Sequence, residues 1–313
     1  MLSKSAMRVV RLALAFVPSL LACGDGTGAV ALFDGERPLW ASPAGSGPVA
    51  RTFAERVSGT LGIWTFQRTG EVALPHDRFT GFREEDGAVV VEYAPTPPED
   101  EDVEAPAAGG ATLRIAPGER PSTTALRLEI AGVEATSLAL PVRCDPEGSF
   151  HGFGEHYGAT EQRGEAFDLI VSEQGIGREG GLRAIAGDEH TTYFPMPYYL
   201  DARGFGLLLR TDHRVRVDVC ASDPEVAWLE VIDDAPVEAV VFHGPTPLDV
   251  VAQLGAEVGR PAPPPDWAFG TWISSQGGRE AVRADVAALE EAEIDVAAIW
   301  SQDWTGVRMN ADG

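Results

Sequence analysis

The sequence predicts a mainly β protein, with a large antiparallel β-sandwich followed by the first strand–helix–strand unit of a (β/α)₈ barrel. Short runs of β-type residues separated by turn residues fill the chain from about residue 50 to 260. A proline cluster then marks a boundary, and the pattern beyond it changes to strand, helix and strand. A chain of 313 residues is long enough for one large domain or two ordinary ones.

The N-terminus is typical of an export signal, so residues 1–22 are excluded from the predicted fold. Positive charges precede the apolar run 12–22, which is too short to span a membrane comfortably. The stretch "LLAC" resembles a bacterial lipoprotein signal, in which Cys23 becomes the lipidated N-terminus. The alternative is an ordinary signal peptide cut nearby. Both predict export to the bacterial periplasm or cell envelope, and a lipidated Cys23 would anchor the protein to a membrane surface.

Residues 23–50 are rich in Gly, Ala and Pro, and this composition predicts a loosely ordered tether. The β-sandwich is expected over residues 51–260. Its clearest strand is "HRVRVDVC", which places Val215, Val217 and Val219 on one face and charged residues on the other.

The end of the sandwich is predicted from a short helical pattern, "PLDVVAQLGAEV", which stops at Gly259. Beyond the prolines of segment 261–265, "DWAFGTWISS" and "VAAIWS" are typical of strands and "REAVRADVAALEEAEI" of a helix. A unit of this kind places its two strands parallel to each other. Residues 266–313 therefore begin a (β/α)₈ barrel, which is predicted to be incomplete because such a barrel needs about 250 residues.

Polar residues follow both predicted barrel strands. Gln276 comes directly after the first strand, and Gln302 and Asp303 come directly after the second. Reactive residues of (β/α)₈ barrels lie just past the C-terminal ends of strands. We therefore expect these three side chains at the same rim.

The charge balance argues against nucleic acid as a partner. The 48 acidic residues outnumber the 24 Lys and Arg residues, which gives a formal charge of −24 that repels phosphate backbones. Part of the excess lies in "PTPPEDEDVEAPAAGG" (95–110), which we interpret as a solvated insertion loop.

The sequence predicts neither a metal nor a cofactor. The 6 histidines lack zinc-ligand spacing. The stretch "GIGREG" (175–180) matches the dinucleotide fingerprint, but no helix pattern follows it, so we interpret it as a loop. No G-x-S-x-G nucleophile motif occurs.

Cys144 and Cys220 remain after the signal segment. Export permits a disulfide between them, but two cysteines far apart in sequence do not prove a pairing. We expect two buried free thiols, with a disulfide as the alternative.

The stretch "SFHGFGEHYG" (149–158) surrounds Glu155 with glycines. Glycines permit a tight turn that could direct Glu155 at a ligand. A glycine-rich hairpin with a solvated Glu155 is the alternative interpretation.

Four aromatic residues flank prolines in "TTYFPMPYYLDARGFGLLL" (191–209). Aromatic side chains on an irregular loop can stack on sugar rings. They can equally pack between two domains. The four are Tyr193, Phe194, Tyr198 and Tyr199.

Together these segments resemble glycoside hydrolase family 31, the α-glucosidase family, from about Phe150 to Arg308. The resemblance rests on "HGFGE", "TTYFPMPYYLDARGFGLLL", "PPDWAFG" and "AIWSQDWTGVR". It implies a galactose-mutarotase-like β-sandwich followed by a catalytic (β/α)₈ barrel. Within the family, "SEQGIGR", "QGG" and "WSQDWTGVR" are most similar to the sulfoquinovosidase branch.

The resemblance implies roles for the candidate residues. Gln276 and Gln302 match residues that line the sugar and sulfonate pocket, and Asp303 matches a residue that accepts hydrogen bonds from sugar hydroxyls. Glu155 becomes a candidate for a contact at the pocket edge. The sulfonate-binding Arg–x–x–Trp element of the branch is expected a few residues beyond Gly313.

The chemistry implied is retaining hydrolysis of α-glycosidic bonds by two carboxylates. In the family both catalytic aspartates lie on later barrel strands, so this chain is expected to hold neither and to be inactive by itself. The expected partner is a carbohydrate substrate. A carbohydrate-binding lipoprotein that uses only the sandwich, and a non-functional gene fragment, are the alternatives.

Overall fold

The computed structural model describes residues 7–11, 19–24, 29–34, 37–60, 62–96, 109–172 and 187–301. The chain divides into two compact units, Met1–Glu257 and Val258–Gly313. Most of the predicted acidic insertion loop and the "GIGREG" segment lie outside the described residues.

The first unit is built almost entirely from antiparallel strands. In chain order they are β1 Met7–Arg11, β2 Ser19–Gly24, β3 Val30–Asp34, β4 Arg37–Ala41, β5 Val49–Thr60, β6 Ile63–Pro75, β7 Arg78–Glu85, β8 Ala88–Ala94, β9 Gly110–Pro117, β10 Thr123–Ala131, β11 Ser137–Arg143, β12 His151–Gly154, β13 Ala166–Leu169, β14 Pro195–Asp201, β15 Phe205–Leu209, β16 Val215–Asp223, β17 Val226–Val231 and β18 Val237–His243.

Two of the sheets form the sandwich. The eight-stranded sheet has the order β12-β14-β15-β18-β10-β9-β8-β7, and the six-stranded sheet has the order β13-β16-β17-β11-β5-β6. Both contribute residues to one apolar core, such as Val91 and Leu207 from the larger sheet and Val217 and Leu140 from the smaller. The predicted alternation in β16 is confirmed, because Val215, Val217 and Val219 are buried while Arg216 is exposed. The predicted β-sandwich is therefore confirmed.

A third sheet with the order β1-β2-β3-β4 is built from the N-terminal residues. Val30 and Leu32 on β3 and Trp40 on β4 are each at most 1% exposed and belong to the sandwich core. The predicted tether is thus wrong from residue 29 onward, because consecutive apolar residues in these short strands pack against the sandwich core.

The predicted signal segment contributes β1 and β2 to this sheet. In the backbone register, Arg8 lies opposite Cys23, and Cys23 lies opposite Val30. Cleavage before Cys23 and its lipidation stay predictions. Among the described residues, no helix is long and apolar enough to cross a membrane.

A disulfide joins Cys144 to Cys220, with the two Cα atoms 6.2 Å apart. The expectation of two free thiols was therefore wrong. Cys144 directly follows β11 and Cys220 lies in β16, the two strands on either side of β17 in the sheet. Sheet order thus brings together residues that are 76 positions apart in sequence.

Helix α1, Pro247–Val258, closes the first unit where the sequence predicted a helix. Thr246 and Asp249 cap its start reciprocally, since the Thr246 amide donates to the Asp249 carboxylate at 3.0 Å and the Asp249 amide donates to Thr246 Oγ1 at 3.4 Å. Val250 and Leu254 are the helix residues buried against the sheet.

The second unit begins with a short 3₁₀ helix, Asp266–Phe269, and contains β19 Trp272–Ser274, α2 Arg279–Glu291 and β20 Ala298–Trp300. β19 and β20 are parallel neighbours. The predicted βαβ unit is confirmed, while the closure of a barrel is not shown by these elements.

Candidate functional site

The glycine-rich turn at the end of β12 has an unusual backbone. Gly152, Phe153 and Gly154 have φ angles of 125°, 64° and 109°. A Cβ atom on Gly154 would lie 2.1 Å from the carbonyl oxygen of Phe194, so only glycine fits there. A positive φ is a strained conformation for phenylalanine, which the surrounding packing must hold in place.

The sandwich core provides this packing, because the Phe153 side chain is 1% exposed and lies within it. Its ring centroid is 5.8 Å from that of Phe167 and 5.9 Å from that of Tyr199. Glu155 follows Gly154, and its backbone amide donates a hydrogen bond to the Phe194 carbonyl at 3.0 Å. Glu155 is solvent-exposed and thus leaves the core from a fixed backbone position.

The aromatic segment divides into two parts. Tyr198 and Tyr199 lie on β14 and are 6% and 1% exposed, so they are core residues and not members of an irregular loop. Tyr193 and Phe194 precede the strand and are 50% and 58% exposed. The predicted loop is therefore correct only for the first aromatic pair.

A chain of hydrogen bonds connects this segment to the tip of the β5–β6 hairpin. The Ser172 amide donates to the Thr192 carbonyl at 2.9 Å, and Ser172 Oγ donates to the Gly62 carbonyl at 3.1 Å. Residues 62, 155–157, 171–172 and 192–194 thus form one continuous edge, which we call the rim. Its exposed side chains include one carboxylate and three aromatic rings, those of Glu155, Tyr157, Tyr193 and Phe194.

The β5–β6 hairpin, which reaches the rim, is held by ionic contacts to residues on or next to other strands of the six-stranded sheet. Arg68 donates to both carboxylate oxygens of Glu230 at 3.0 Å, and Ser137 Oγ donates to the same carboxylate at 2.5 Å. Arg214 pairs with Glu55 at 2.5 Å, and its guanidinium carbon lies 3.6 Å from the Phe66 ring centroid. These contacts hold the hairpin tip in a defined position.

Histidines lie behind the rim. The His190 ring stacks on Phe167 with centroids 4.2 Å apart, and the His156 ring lies 5.5 Å from His190. Burial lowers the pKa of His156, and His190 lowers it further. His156 is therefore a neutral residue of the scaffold at neutral pH.

One group of side chains near these histidines has metal-ligand chemistry. Donor atoms of Glu165, Glu189 and His190 lie within 4.8 Å of one another, in a partly exposed setting. The His190 Nε2 atom lies 3.3 Å from a Glu165 carboxylate oxygen. A hydrogen bond between His190 and Glu165 explains their proximity, and we assign no metal to the group.

In the second unit, Gln276 follows β19 and is exposed. The preceding Ser275 is 2% exposed, donates its amide to the Trp300 carbonyl at 3.0 Å, and donates its hydroxyl to Asp285 at 2.6 Å. The end of β19 is thus tied to β20 and α2. Gln302 and Asp303 lie outside the described residues, so their convergence with Gln276 stays a prediction.

Sequence reasoning missed the hairpin tip and the role of Phe153. The spacing of Gly152 and Gly154 around a large apolar residue was a usable signal for a strained turn. The contact between Ser172 and Gly62 had no such signal, because it joins residues 110 positions apart.

The architecture defines a class: an antiparallel β-sandwich followed by the first βαβ unit of a (β/α)-type domain. The fold of a GH31 family sulfoquinovosidase from E. rectale, solved with an aza-sugar inhibitor, matches 93% of this chain with a TM-score of 0.74 at 20% identity. The match covers 42% of that chain.

Sequence comparison identifies relatives with the same activity in their names. The sulfoquinovosidase of Escherichia coli (strain K12) is 28% identical over 214 residues, which are 65% of this chain and 31% of that protein. The sulfoquinovosidase of Agrobacterium fabrum is 27% identical over 218 residues, 64% of this chain and 32% of that protein. This chain thus spans about a third of the length of these curated relatives.

No protein-family model matches the chain. The predicted resemblance to glycoside hydrolase family 31, and to its sulfoquinovosidase branch, is nevertheless confirmed by the relatives and by the matching fold.

Proposed function

We propose that this chain is the N-terminal part of an exported retaining α-glycoside hydrolase of family 31. Its substrate is an α-glucoside or an α-sulfoquinovoside. The observation that carries the proposal is the match of 93% of the chain to the fold of a sulfoquinovosidase, together with the 28% identity to a second one.

In this proposal the four candidate residues of the sequence analysis bind and position the sugar. Glu155 accepts hydrogen bonds from substrate hydroxyls at the pocket edge. Gln276 and Gln302 line the sugar and sulfonate pocket, and Asp303 accepts hydrogen bonds from sugar hydroxyls. No catalytic residue is assigned within these 313 residues. Hydrolysis by two carboxylates about 5–5.5 Å apart needs only proton transfer and water, so no cofactor is proposed.

The test is a hydrolysis assay on the protein extended past Gly313, with 4-nitrophenyl α-sulfoquinovoside and 4-nitrophenyl α-glucoside as substrates. We expect turnover of at least one, with retention of the anomeric configuration in the first product. No turnover of either substrate by a folded extended protein would show that the proposal is wrong.

The roles of single residues can be separated in the same assay. Gln276→Ala in the extended protein is expected to lower kcat/KM by about 10-fold to 100-fold, since leaving a buried substrate group without its hydrogen-bond partner costs about 1–3 kcal/mol. The matched control is Gln253→Ala. Gln253 is on α1, and its side-chain amide donates to the His243 carbonyl at 2.7 Å within the first unit.

A second candidate function is carbohydrate binding by the sandwich without turnover. The exposed Tyr193 and Phe194 beside Glu155 favour it, because aromatic faces stack on pyranose rings. Calorimetric titration of the 313-residue chain with sulfoquinovose and glucose tests it. Binding that Phe194→Ala abolishes, and that Val72→Ala on the hairpin leaves unchanged, would support this function.

Export and anchoring at Cys23 are also proposed. The support is the sequence pattern that precedes Cys23. Radiolabelled palmitate is expected to label the protein in a bacterial host and to be lost in Cys23→Ser. A product that is labelled equally in both forms would contradict anchoring at this residue.

A further inference from the structure

A small cavity lies where the three sheets of the first unit meet. Its volume is about 20 Å³, and its lining includes Trp40 from β4, Val142 from β11 and Tyr199 from β14. These three side chains are each at most 3% exposed, so this side of the cavity is part of the core, while Asp145 and Arg203 on its lining are partly exposed.

Two residues of this wall carry buried polar atoms that have no protein partner. The Trp40 indole Nε1 and the Tyr199 hydroxyl are buried and make no hydrogen bond to any described residue. Both residues are 1% exposed. A buried donor without a partner is costly, so groups of this kind are generally satisfied by an ordered water molecule when protein atoms do not reach them.

One side of the cavity is lined by charged residues. Asp201 and Arg203 also line the cavity and form an ion pair with 2.8 Å between Arg203 Nη2 and Asp201 Oδ2. The pKa of Tyr199 is raised by burial and, in addition, by the Asp201 carboxylate, which places the phenol within electrostatic reach of that carboxylate. Polar walls distinguish this cavity from the dry apolar cavities that proteins tolerate.

Size limits the ligand. A cavity must offer about 10–15 Å³ to hold a water molecule, so this one accommodates one water and nothing larger. We infer that this cavity binds one internal water molecule that accepts a hydrogen bond from Trp40 Nε1 and forms a second one with the Tyr199 hydroxyl.

The site has a structural consequence. Tyr199 lies opposite Gly152 in the pairing of β12 with β14, and Phe150 also lines the cavity. The water therefore joins the N-terminal strand β4 to the strand pair that carries the glycine-rich turn. It connects the added third sheet to the scaffold of the rim.

Whether Tyr199→Phe lowers or raises Tm tests this inference. If water bridges the hydroxyl, Tyr199→Phe in the full chain removes a satisfied hydrogen bond and lowers Tm by about 2–4 °C. If the cavity is dry, the same change removes an unsatisfied buried group and Tm stays equal or rises. An unchanged or higher Tm would overturn the inference.

The chain offers a matched control. The neighbouring Tyr198 is 6% exposed, its hydroxyl is likewise without a protein partner, and it does not line this cavity. Tyr198→Phe is expected to leave Tm equal or higher. Equal losses of Tm in Tyr198→Phe and Tyr199→Phe would also contradict the inference.

A crystal structure of the full chain provides a direct second measurement. Electron density for a water about 2.7–3.2 Å from both Trp40 Nε1 and the Tyr199 hydroxyl is the expected result. A cavity without density, in a map that shows other internal waters, would overturn the inference independently of the Tm data.

Discussion

At the scale of single residues, Phe153 shows how the core positions an exposed carboxylate. A large apolar residue takes a positive φ angle between two glycines, and the sandwich buries its ring. The strain is local, while the compensation comes from packing against Phe167 and Tyr199. Glu155 follows this packed turn, so its backbone position is fixed, as it would not be on a flexible loop.

Gly154 is the residue most sensitive to substitution in this turn. Gly154→Ala is expected to destabilise the protein by about 2–4 kcal/mol, because the new Cβ would collide with the Phe194 carbonyl oxygen. Urea unfolding measures the change. The control is Gly164→Ala, at a positive φ with nothing within 4 Å of the added Cβ, for which about 1 kcal/mol is expected. Equal losses in both variants would contradict the predicted collision.

The lowered pKa of His156 predicts that the free energy of unfolding depends on pH. Burial lowers its pKa below the ordinary value of 6.5, so the unfolded chain binds a proton more readily than the folded chain. Its contribution to stability is therefore present above about pH 6.5 and is lost as the pH falls below that value. His76 acts in the same direction, because burial also lowers its pKa.

Urea unfolding at pH 7.5 and pH 5.5 measures this dependence. The loss of stability between these pH values is expected to be smaller in His156→Gln than in the wild type. An unchanged pH dependence in His156→Gln would show that another group is responsible.

At the scale of elements, the β5–β6 hairpin is held by long-range ion pairs. Arg68 lies 162 positions from Glu230, and Arg214 lies 159 positions from Glu55. The clean alternation in β16 predicted a strand and its buried face. It did not predict the partners of the charged residues on the other face, because those partners depend on which strands become neighbours.

Glu230 is the critical member of this network, since it is 4% exposed and accepts hydrogen bonds from Arg68 and Ser137. Glu230→Ala leaves the partly buried Arg68 with only the longer contacts to Glu71 at 3.6 Å and Glu55 at 3.7 Å, and it is expected to cost about 1.5–3 kcal/mol in thermal or urea unfolding. Glu129→Ala, which breaks an exposed pair with Arg127, should cost less than about 1 kcal/mol. A similar small loss in both variants would show that the buried network contributes little.

At the scale of the whole molecule, the sequence predicted the two kinds of architecture but not how the N-terminal residues join them. Turn spacing and alternation predicted the sandwich, and the change of pattern after the prolines predicted the βαβ unit. The tether was wrong from residue 29, because β3 and β4 are short apolar strands within a segment that is otherwise rich in Gly, Ala and Pro. Their burial depends on the sandwich residues against which they pack, and those residues are distant in sequence. The rim was only partly predictable, since Glu155 and Phe194 lie in two motifs that the sequence singles out, while Gly62 lies in neither and is distant in sequence.

The disulfide constrains the whole first unit. Its removal in a Cys144→Ala, Cys220→Ala double variant is expected to lower the free energy of unfolding by about 2–4 kcal/mol, because the bond closes a loop of 76 residues in the unfolded chain. Dithiothreitol should lower Tm of the wild type and leave the double variant unchanged. A wild-type Tm that is unaffected by reductant, with reduction verified by thiol titration, would contradict this prediction.

The burial of Ala29 and Val30 has a consequence for a lipid-anchored form of the protein. Cys23 lies in β2 opposite the buried Val30, so acyl chains on Cys23 would be attached directly to the third sheet. The domain would then lie close to the lipid headgroups with restricted orientation, and soluble sugars would have to approach from the side that faces away from the membrane.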